Sequence, residues 1–150
     1  MSTVEIVPAG PEDAEALTTL MHGCSAYSGE YASILHDFRV TAEHVRAHPT
    51  FLAGAAGEVL GFYSLITDPA ELDMLFVADR AQGAGLGARL VGHLLEQARA
   101  RGLTTVKVVS HPPAEGFYRR MGARRVGVVP ARPPKVTWER PELAFDVGPR

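Results

Sequence analysis

The sequence predicts an α/β (α+β) protein, a single domain in which a mixed central sheet of about seven strands carries about four helices. Segments of alternating hydrophobicity are interspersed with segments of helical periodicity along the whole chain. No linker is long enough to divide domains, and 150 residues suit one compact unit. Hydrophobic residues make up 46% of the chain and charged residues 21%, as in an average globular protein.

The first third of the chain predicts one strand and two helical regions. Val4–Pro8 alternates apolar and polar residues and suits a short edge strand. A proline and two acids open a helix at Pro11, because the first helical turn accepts proline and favours negative charge. A second helical region covers Tyr31–Phe38 and Thr41–His48, and the proline that follows ends it.

Three strands come next, joined by turns at Ala56–Glu58 and Asp68–Ala70. They are Thr50–Ala55, Val59–Thr67 and Glu71–Val77. Strict alternation in the third strand predicts one face made of Glu71, Asp73, Leu75 and Val77 and another made of Leu72, Met74 and Phe76.

The second half contains the strongest helix, which begins near Gly85 and ends at Gly102. Its single apolar stripe predicts the buried face and consists of Leu86, Leu90, Val91, Leu94 and Ala98. The remaining elements are a strand at Thr104–Ser110, a helix at Pro113–Met121, and two strands at Arg125–Val129 and Leu143–Val147.

Charge and cysteine content exclude several classes of protein. A formal net charge of −2 argues against a protein that holds nucleic acid electrostatically. Cys24 is the single cysteine, so no internal disulfide is expected. No signal peptide and no apolar run of about 20 residues is visible, which predicts a cytoplasmic protein without membrane segments.

The histidines predict no metal site. The five histidines other than His111 show no metal-ligand spacing and are expected at the surface. They are His22, His36, His44, His48 and His93.

The most informative segment is the glycine-rich turn Gln82–Gly87, which lies between a strand and the strongest helix. Closely approaching backbone N–H groups and the positive end of a helix dipole make such a turn an anion site, typically for phosphate. The segment Gly83–Ala88 also matches the dinucleotide fingerprint. However, the next strand lacks the acid that would bind the ribose, and no lysine of a Walker loop follows the glycines.

Two motifs together resemble the Gcn5-related N-acetyltransferase (GNAT) family. Leu75-Phe76-Val77, four residues and then Gln82-Gly83-Ala84-Gly85-Leu86-Gly87 is similar to its acyl-CoA-binding motif, Arg/Gln-x-x-Gly-x-Gly/Ala. Ala114–Ala123 is similar to the segment A-x-x-F-Y-x-x-x-G-F. Because the order of elements and the length also match, the resemblance covers nearly the whole chain.

The resemblance implies acetyl-CoA as co-substrate and a set of residues that bind it. In the family this strand splays from its neighbour, so Leu75 and Val77 would contact the pantetheine arm through their main chain. Phe76 or one of its neighbours would supply an N–H to the thioester oxygen, where negative charge develops. Arg120 is a candidate for the 3′-phosphate. The pyrophosphate would lie against the turn made of Gln82, Gly83, Ala84, Gly85, Leu86 and Gly87.

The resemblance also implies catalytic roles. Tyr118 aligns with the tyrosine that protonates the departing thiolate, although packing beside Phe117 is the alternative. Glu71 and Asp73 are both candidates for the base that removes the proton of the amine. If Glu71 is the base, Glu71→Gln should lower kcat by roughly 100-fold or more. His111 occupies the position of a family asparagine, so it is either a third candidate base or a bridge between backbone groups.

The acceptor is expected to be a small-molecule amine or an amino acid. In the family the acceptor site uses the first two helices and the loop between the last strands, where Tyr27, Tyr31 and Trp138 could form an aromatic wall. One alternative is a non-catalytic acyl-CoA-binding module on the same fold. The other is a dinucleotide-binding oxidoreductase, although the absence of an acid to bind the ribose argues against it. The sequence leaves a homodimer open.

Overall fold

A single seven-stranded sheet organises the computed structural model, which describes residues 3–24, 38–134 and 136–148. The strands lie in the order β1-β2-β3-β4-β5-β7-β6. They are β1 (Glu5–Pro8), β2 (Thr50–Ala55), β3 (Glu58–Thr67), β4 (Ala70–Val77), β5 (Thr105–Val109), β6 (Arg124–Val129) and β7 (Arg140–Asp146). Neighbouring strands pair antiparallel except β4 and β5, which run parallel.

Helices cover both faces of the sheet. The α-helices of the described residues are α1 (Ala14–His22), α2 (Ala42–Ala47), α3 (Leu86–Ala100) and α4 (Glu115–Arg120), and short 3-10 turns precede α1, α3 and α4. The buried stripe of α3 is the predicted one. The prediction of a helix at Tyr31–Phe38 falls almost entirely outside the described residues.

Two hydrophobic cores lie on opposite sides of the sheet. One joins the stripe of α3 and Tyr118 of α4 to Leu65 and Leu72 of the sheet. The other joins Leu17 and Met21 of α1 and Val45 of α2 to Phe62, Met74 and Phe76. The predicted mixed sheet of about seven strands with about four helices is therefore confirmed.

The prediction of strict alternation along β4 is wrong at one residue. In the pairing with β3, Ser64 lies opposite Met74 but Leu65 lies opposite Leu72, so Asp73 is an extra residue in β4. This β-bulge moves Leu72 to the core under α3 and α4, whereas Met74 and Phe76 face the core under α1 and α2. The sequence did not predict it because register depends on the pairing strand.

β7 begins at Arg140, earlier than the predicted Leu143. Pro141 lies opposite Val128 of β6, and its carbonyl accepts a hydrogen bond from the backbone N–H of Ser110, 3.0 Å away. The proline therefore takes part in the sheet without needing the N–H it lacks. Because proline is normally confined to edges or strand starts, its presence argued against a strand here.

Candidate active site

β4 and β5 separate just beyond the bulge and open the sheet. Within these fully described strands, the parallel pairs join Glu71 to Lys107 and Leu72 to Val108, and pairing stops there. A wedge-shaped cavity of about 40 Å³ fills the gap, and Asp73, Ser110 and Tyr118 are among the residues that line it. The splayed strands that the resemblance implied are thus present.

A larger cavity of about 480 Å³ extends along the glycine-rich turn. It shares four lining residues with the wedge, Leu75, Phe76, His111 and Tyr118. Every residue predicted to bind the cofactor lines the large cavity except Ala84, which lies exposed within the turn. The candidate phosphate site and the polar groups of the splay therefore lie on two adjoining cavities with a common wall.

The glycine-rich turn has the backbone conformation that its sequence requires. Gly83 and Gly85 have φ angles of 81° and 79°, in the left-handed region, and Gly85 caps the 15-residue helix α3. A Cβ at either position would meet no atom within 4 Å, so glycine is required by the backbone rather than by space. The unpaired N–H groups of the first helical turn and the helix dipole favour an anion here.

Gly87 has a different reason to be glycine. A Cβ there would lie 3.2 Å from the ring of Phe117, so the first turn of α3 packs directly against α4. That contact fixes the helix that carries Tyr118 relative to the glycine-rich turn. Arg120, in the last turn of α4, completes this side of the large cavity.

The carbonyl of Val77 lies at the rim of the large cavity and accepts two hydrogen bonds. The side-chain amide of Gln82 donates to it over 3.0 Å, and the Cys24 thiol donates over 3.3 Å. Burial is the main reason that the pKa of Cys24 is raised to about 11. A thiol that is buried, protonated and bound to carbonyls is a poor nucleophile.

Tyr118 and His111 are the buried polar side chains at the junction of the two cavities. Tyr118 is 8% exposed and makes edge contacts with Phe117 and Phe145. His111 is 7% exposed and lies between β5 and the 3-10 turn before α4. Ser110 donates its hydroxyl hydrogen to the His111 carbonyl over 2.7 Å, which fixes the backbone at this point.

The two candidate basic carboxylates differ in location. Asp73 lines the wedge, whereas Glu71 lines neither cavity and lies beside Lys107, where β4 and β5 are still paired. Burial raises the pKa of Glu71, assisted by Asp73 and Glu142 and opposed by Lys107 and Arg140. The bulge therefore brings Asp73, and not Glu71, to the open part of the sheet.

The surface assignment of the remaining histidines is wrong for His44, His48 and His93, which are half-buried, and His36 lies outside the described residues. His44 of α2 is half-buried, and its Nε2 lies 3.3 Å from Oδ2 of Asp73 and 3.0 Å from Oγ of Ser64. Nδ1 of His93 lies 2.7 Å from the hydroxyl of the fully buried Tyr63, on the opposite side of the sheet. No local pattern in the sequence indicates either contact, because both join elements distant along the chain.

The predicted aromatic wall for the acceptor is not tested by the structure, because Tyr27 and Tyr31 lie outside the described residues. Trp138 is half-buried before β7 and lines neither of the two cavities. Among the described residues, no cluster of three or more His, Cys, Asp or Glu is arranged to hold a metal ion. No helix in this part of the chain is long and apolar enough to span a membrane.

Comparisons with known proteins agree with this geometry. The sequence model of the acetyltransferase (GNAT) family matches residues 15–123. Blasticidin-S acetyltransferase of Streptomyces morookaense is 32% identical over 102 residues, which cover 64% of this chain and 74% of that protein.

Solved structures show the same fold. The structure of a GCN5-related N-acetyltransferase from Rhodopseudomonas palustris has a TM-score of 0.82 and 25% identity, with 97% of both chains covered. An aminoglycoside 6′-N-acetyltransferase in complex with coenzyme A has a TM-score of 0.72 and 19% identity, with 97% of this chain and 98% of that chain covered.

Proposed function

The chain belongs to the GNAT acetyltransferase family, and from this premise we propose that it transfers an acetyl group from acetyl-CoA to a primary amine of a small molecule. One observation carries the proposal: the cavity at the glycine-rich turn adjoins the one that Asp73 lines at the splay of β4 and β5, and Tyr118 lines both. An anion site and two groups capable of proton transfer are thus neighbours.

The residues of the large cavity suit acetyl-CoA, which supplies a thioester when bound. The left-handed glycines leave open space above the backbone of the turn, where a diphosphate can approach the N–H groups closely. Leu75 and Val77 line the cavity from the stretch of β4 beyond its last pair with β5. Arg120 supplies a cation on the α4 side, as a further phosphate would require.

Asp73 is the group that we propose accepts the proton of the amine. Asp73 lines the wedge, whereas Glu71 does not. Four residues line both the wedge and the large cavity: Leu75, Phe76, His111 and Tyr118. A base must come within hydrogen-bond reach of the amine, directly or through one water molecule. His111 then has the structural role of closing the junction, where its backbone is fixed by Ser110.

Tyr118 is the group that we propose donates a proton to the departing sulfur. Its side chain lines both cavities, and a phenol is a suitable donor to a thiolate. Transfer proceeds directly from donor to amine, because Cys24 is a poor nucleophile. The chain's own contribution is therefore binding, orientation and two proton transfers.

A free-thiol assay with acetyl-CoA tests this proposal across amines, amino acids, aminoglycosides and peptides. We expect thiol release that depends on an amine, with a small molecule from the panel as the best acceptor. The name of the relative from S. morookaense makes blasticidin S a natural member of the panel.

Binding of acetyl-CoA must be measured in parallel, by calorimetry, to interpret a negative result. Tight binding without thiol release for any amine would contradict an enzyme and favour a non-catalytic acyl-CoA-binding module. A peptide as the best acceptor would contradict the small-molecule assignment alone.

A further inference from the structure

His44 lies outside both of the described cavities, yet it contacts the one carboxylate that lines the wedge. Its Nε2 is 3.3 Å from Oδ2 of Asp73 and 3.0 Å from Oγ of Ser64. The side chains of His44 and Asp73 are 22% and 27% exposed, and Ser64 is fully buried. Three polar groups from α2, β3 and β4 therefore meet beside the splay.

The chemistry of the contact determines where the proton of His44 lies. Nε2 of His44 is hydrogen-bonded to the Ser64 hydroxyl, and the carboxylate of Asp73 lies within 3.3 Å of the same nitrogen. A negative charge at this distance favours the neutral form that carries its hydrogen on Nε2 over the form that presents a lone pair there. In the Nε2–H form the ring donates to Ser64 and turns the positive end of its N–H dipole towards Asp73.

The surroundings of His44 keep it neutral near pH 7. Burial lowers the pKa of His44, the carboxylate of Asp73 opposes this effect, and the neighbouring His48 adds to it. The rings of His44 and His48 lie 4.7 Å apart between centroids. The N–H dipole of a neutral His44 attracts the carboxylate electrostatically without forming a full ion pair, which would strongly weaken Asp73 as a base.

The bulge explains why this contact can exist. Ser64 lies on the face of β3 that turns towards α1 and α2, as does its neighbour Phe62. The extra residue in β4 lets Asp73 share this side with Met74 while it still borders the wedge. Helix α2 begins at Thr41, whose side chain accepts a hydrogen bond from the backbone N–H of His44 and so fixes the first turn of α2.

We propose that His44 is a positioning residue, which with Ser64 orients the Asp73 carboxylate towards the amine at the splay. This inference rests on the proposed function. In the proposed step the amine proton passes to the carboxylate of Asp73, while the hydrogen on His44 remains on Nε2 throughout. His44 acts through Asp73 and does not touch the reacting groups.

The kinetic test uses the full chain with acetyl-CoA and the best acceptor of the amine panel. We expect His44→Ala to lower kcat by about tenfold, with the KM for acetyl-CoA unchanged, because a positioning group is lost. His44→Gln should recover most of the rate, since its amide can donate in the same direction. Arg46→Ala is the matched control: it removes an exposed side chain from the same helix but keeps the His44 imidazole, and it should leave kcat near the wild-type value.

A double-variant cycle separates positioning from general damage. Asp73→Asn should lower kcat by about 100-fold, and His44→Ala should cause no further loss in that background. If His44→Ala lowers kcat by the same factor in the Asp73→Asn variant as in wild type, the inference is overturned. A wild-type kcat in the His44→Ala single variant would also overturn it.

A measurement without substrate keeps the inference distinct from the proposed function. In a proton NMR titration, the His44 midpoint should fall in Asp73→Asn, because the carboxylate that favours the charged imidazole is removed. An unchanged midpoint would show that the contact is absent in solution and would overturn the inference. If wild type transfers to no amine while the midpoint still falls, the proposed function fails first, and the catalytic meaning of the contact fails with it.

Discussion

The two ends of the cavity are built in different ways. The glycine-rich end is a single local segment, Gln82–Gly87, and the features argued to bind phosphate are its backbone N–H groups and its left-handed glycines. The splayed end is assembled from side chains of α2, β3, β4 and α4, including His44, Ser64, Asp73 and Tyr118. An end made of backbone suits a ligand that is constant, whereas an end made of side chains can change with the acceptor. Substitutions should therefore separate binding of the cofactor from chemistry on the amine.

The largest expected effect comes from the splayed end. Tyr118→Phe should lower kcat by about 100-fold, because the proton donor to the sulfur is lost. The affinity for acetyl-CoA, measured by calorimetry, should stay near wild type, since the ring and its contacts with Phe117 and Phe145 remain. Loss of binding along with rate would mean that the two ends are not separable at this residue.

At the glycine-rich end the expected effect is on binding and stability. Gly85→Ala puts a side chain on a residue with φ of 79°, which should cost about 1–2 kcal/mol of the free energy of unfolding. Acetyl-CoA should bind more weakly, because the turn must relax. Urea unfolding and calorimetry check both effects.

Gly92→Ala is the control for that experiment, since Gly92 lies exposed within the same helix and a Cβ there meets no atom within 4 Å. It should raise the free energy of unfolding by about 0.5–1 kcal/mol and leave binding unchanged. Equal responses of the two variants would contradict a special role for the turn.

Glu71 offers a smaller, pH-dependent effect that distinguishes it from Asp73. Burial raises the pKa of Glu71 above its usual 4.5, so the folded state holds this proton more tightly than the unfolded state. The charged carboxylate therefore costs stability as the pH rises above about 4.5, and the cost is complete above the folded-state pKa. Glu71→Gln should raise the free energy of unfolding at pH 7 by less than about 1 kcal/mol, with solvent screening reducing the gain.

Urea unfolding at pH 7 and at pH 4 should show this gain shrinking on acidification. Glu71→Gln should also reduce kcat far less than Asp73→Asn. The reverse order of the two rates would make Glu71 the base and move the chemistry away from the wedge.

The smallest expected effect is at the contact between the two ends. Gly87→Ala places a methyl group 3.2 Å from the Phe117 ring, while replacing a helical glycine favours the helix by about 0.5–1 kcal/mol. We expect the two effects to offset each other, with a change in the free energy of unfolding within about 1 kcal/mol. A fall in kcat without a fall in stability would show that Phe117 transmits the displacement to Tyr118.

The features that the sequence predicted are those set by neighbours along the chain. The stripe of α3, the glycine-rich turn and the order of strands and helices follow from local periodicity and from the positions of glycine and proline. The GNAT motifs added the splay of β4 and β5, which local patterns do not encode.

The features that it missed depend on pairing across the sheet. The bulge at Asp73 is defined by the register with β3, and the early start of β7 depends on a proline whose carbonyl, rather than its N–H, is used. His44 reaches Asp73 only through these long-range contacts, so nothing in its neighbourhood along the chain indicates a role. At the splayed end the motifs named Tyr118, Glu71 and Asp73 as candidates, but only the register of β4 places Asp73, and not Glu71, on the wedge.

The extra residue in β4 ties the architecture of the site to its chemistry. Asp73 is the one residue between Leu72 and Met74, and regular alternation without it would place these two neighbours on opposite faces, where they already lie. Deletion of Asp73 would therefore remove the carboxylate and the bulge while Leu72 and Met74 keep their separate cores. The acid beside the opening is carried by a residue that neither core requires. A lineage could thus gain or lose this carboxylate with little change in the packing on either side of the sheet.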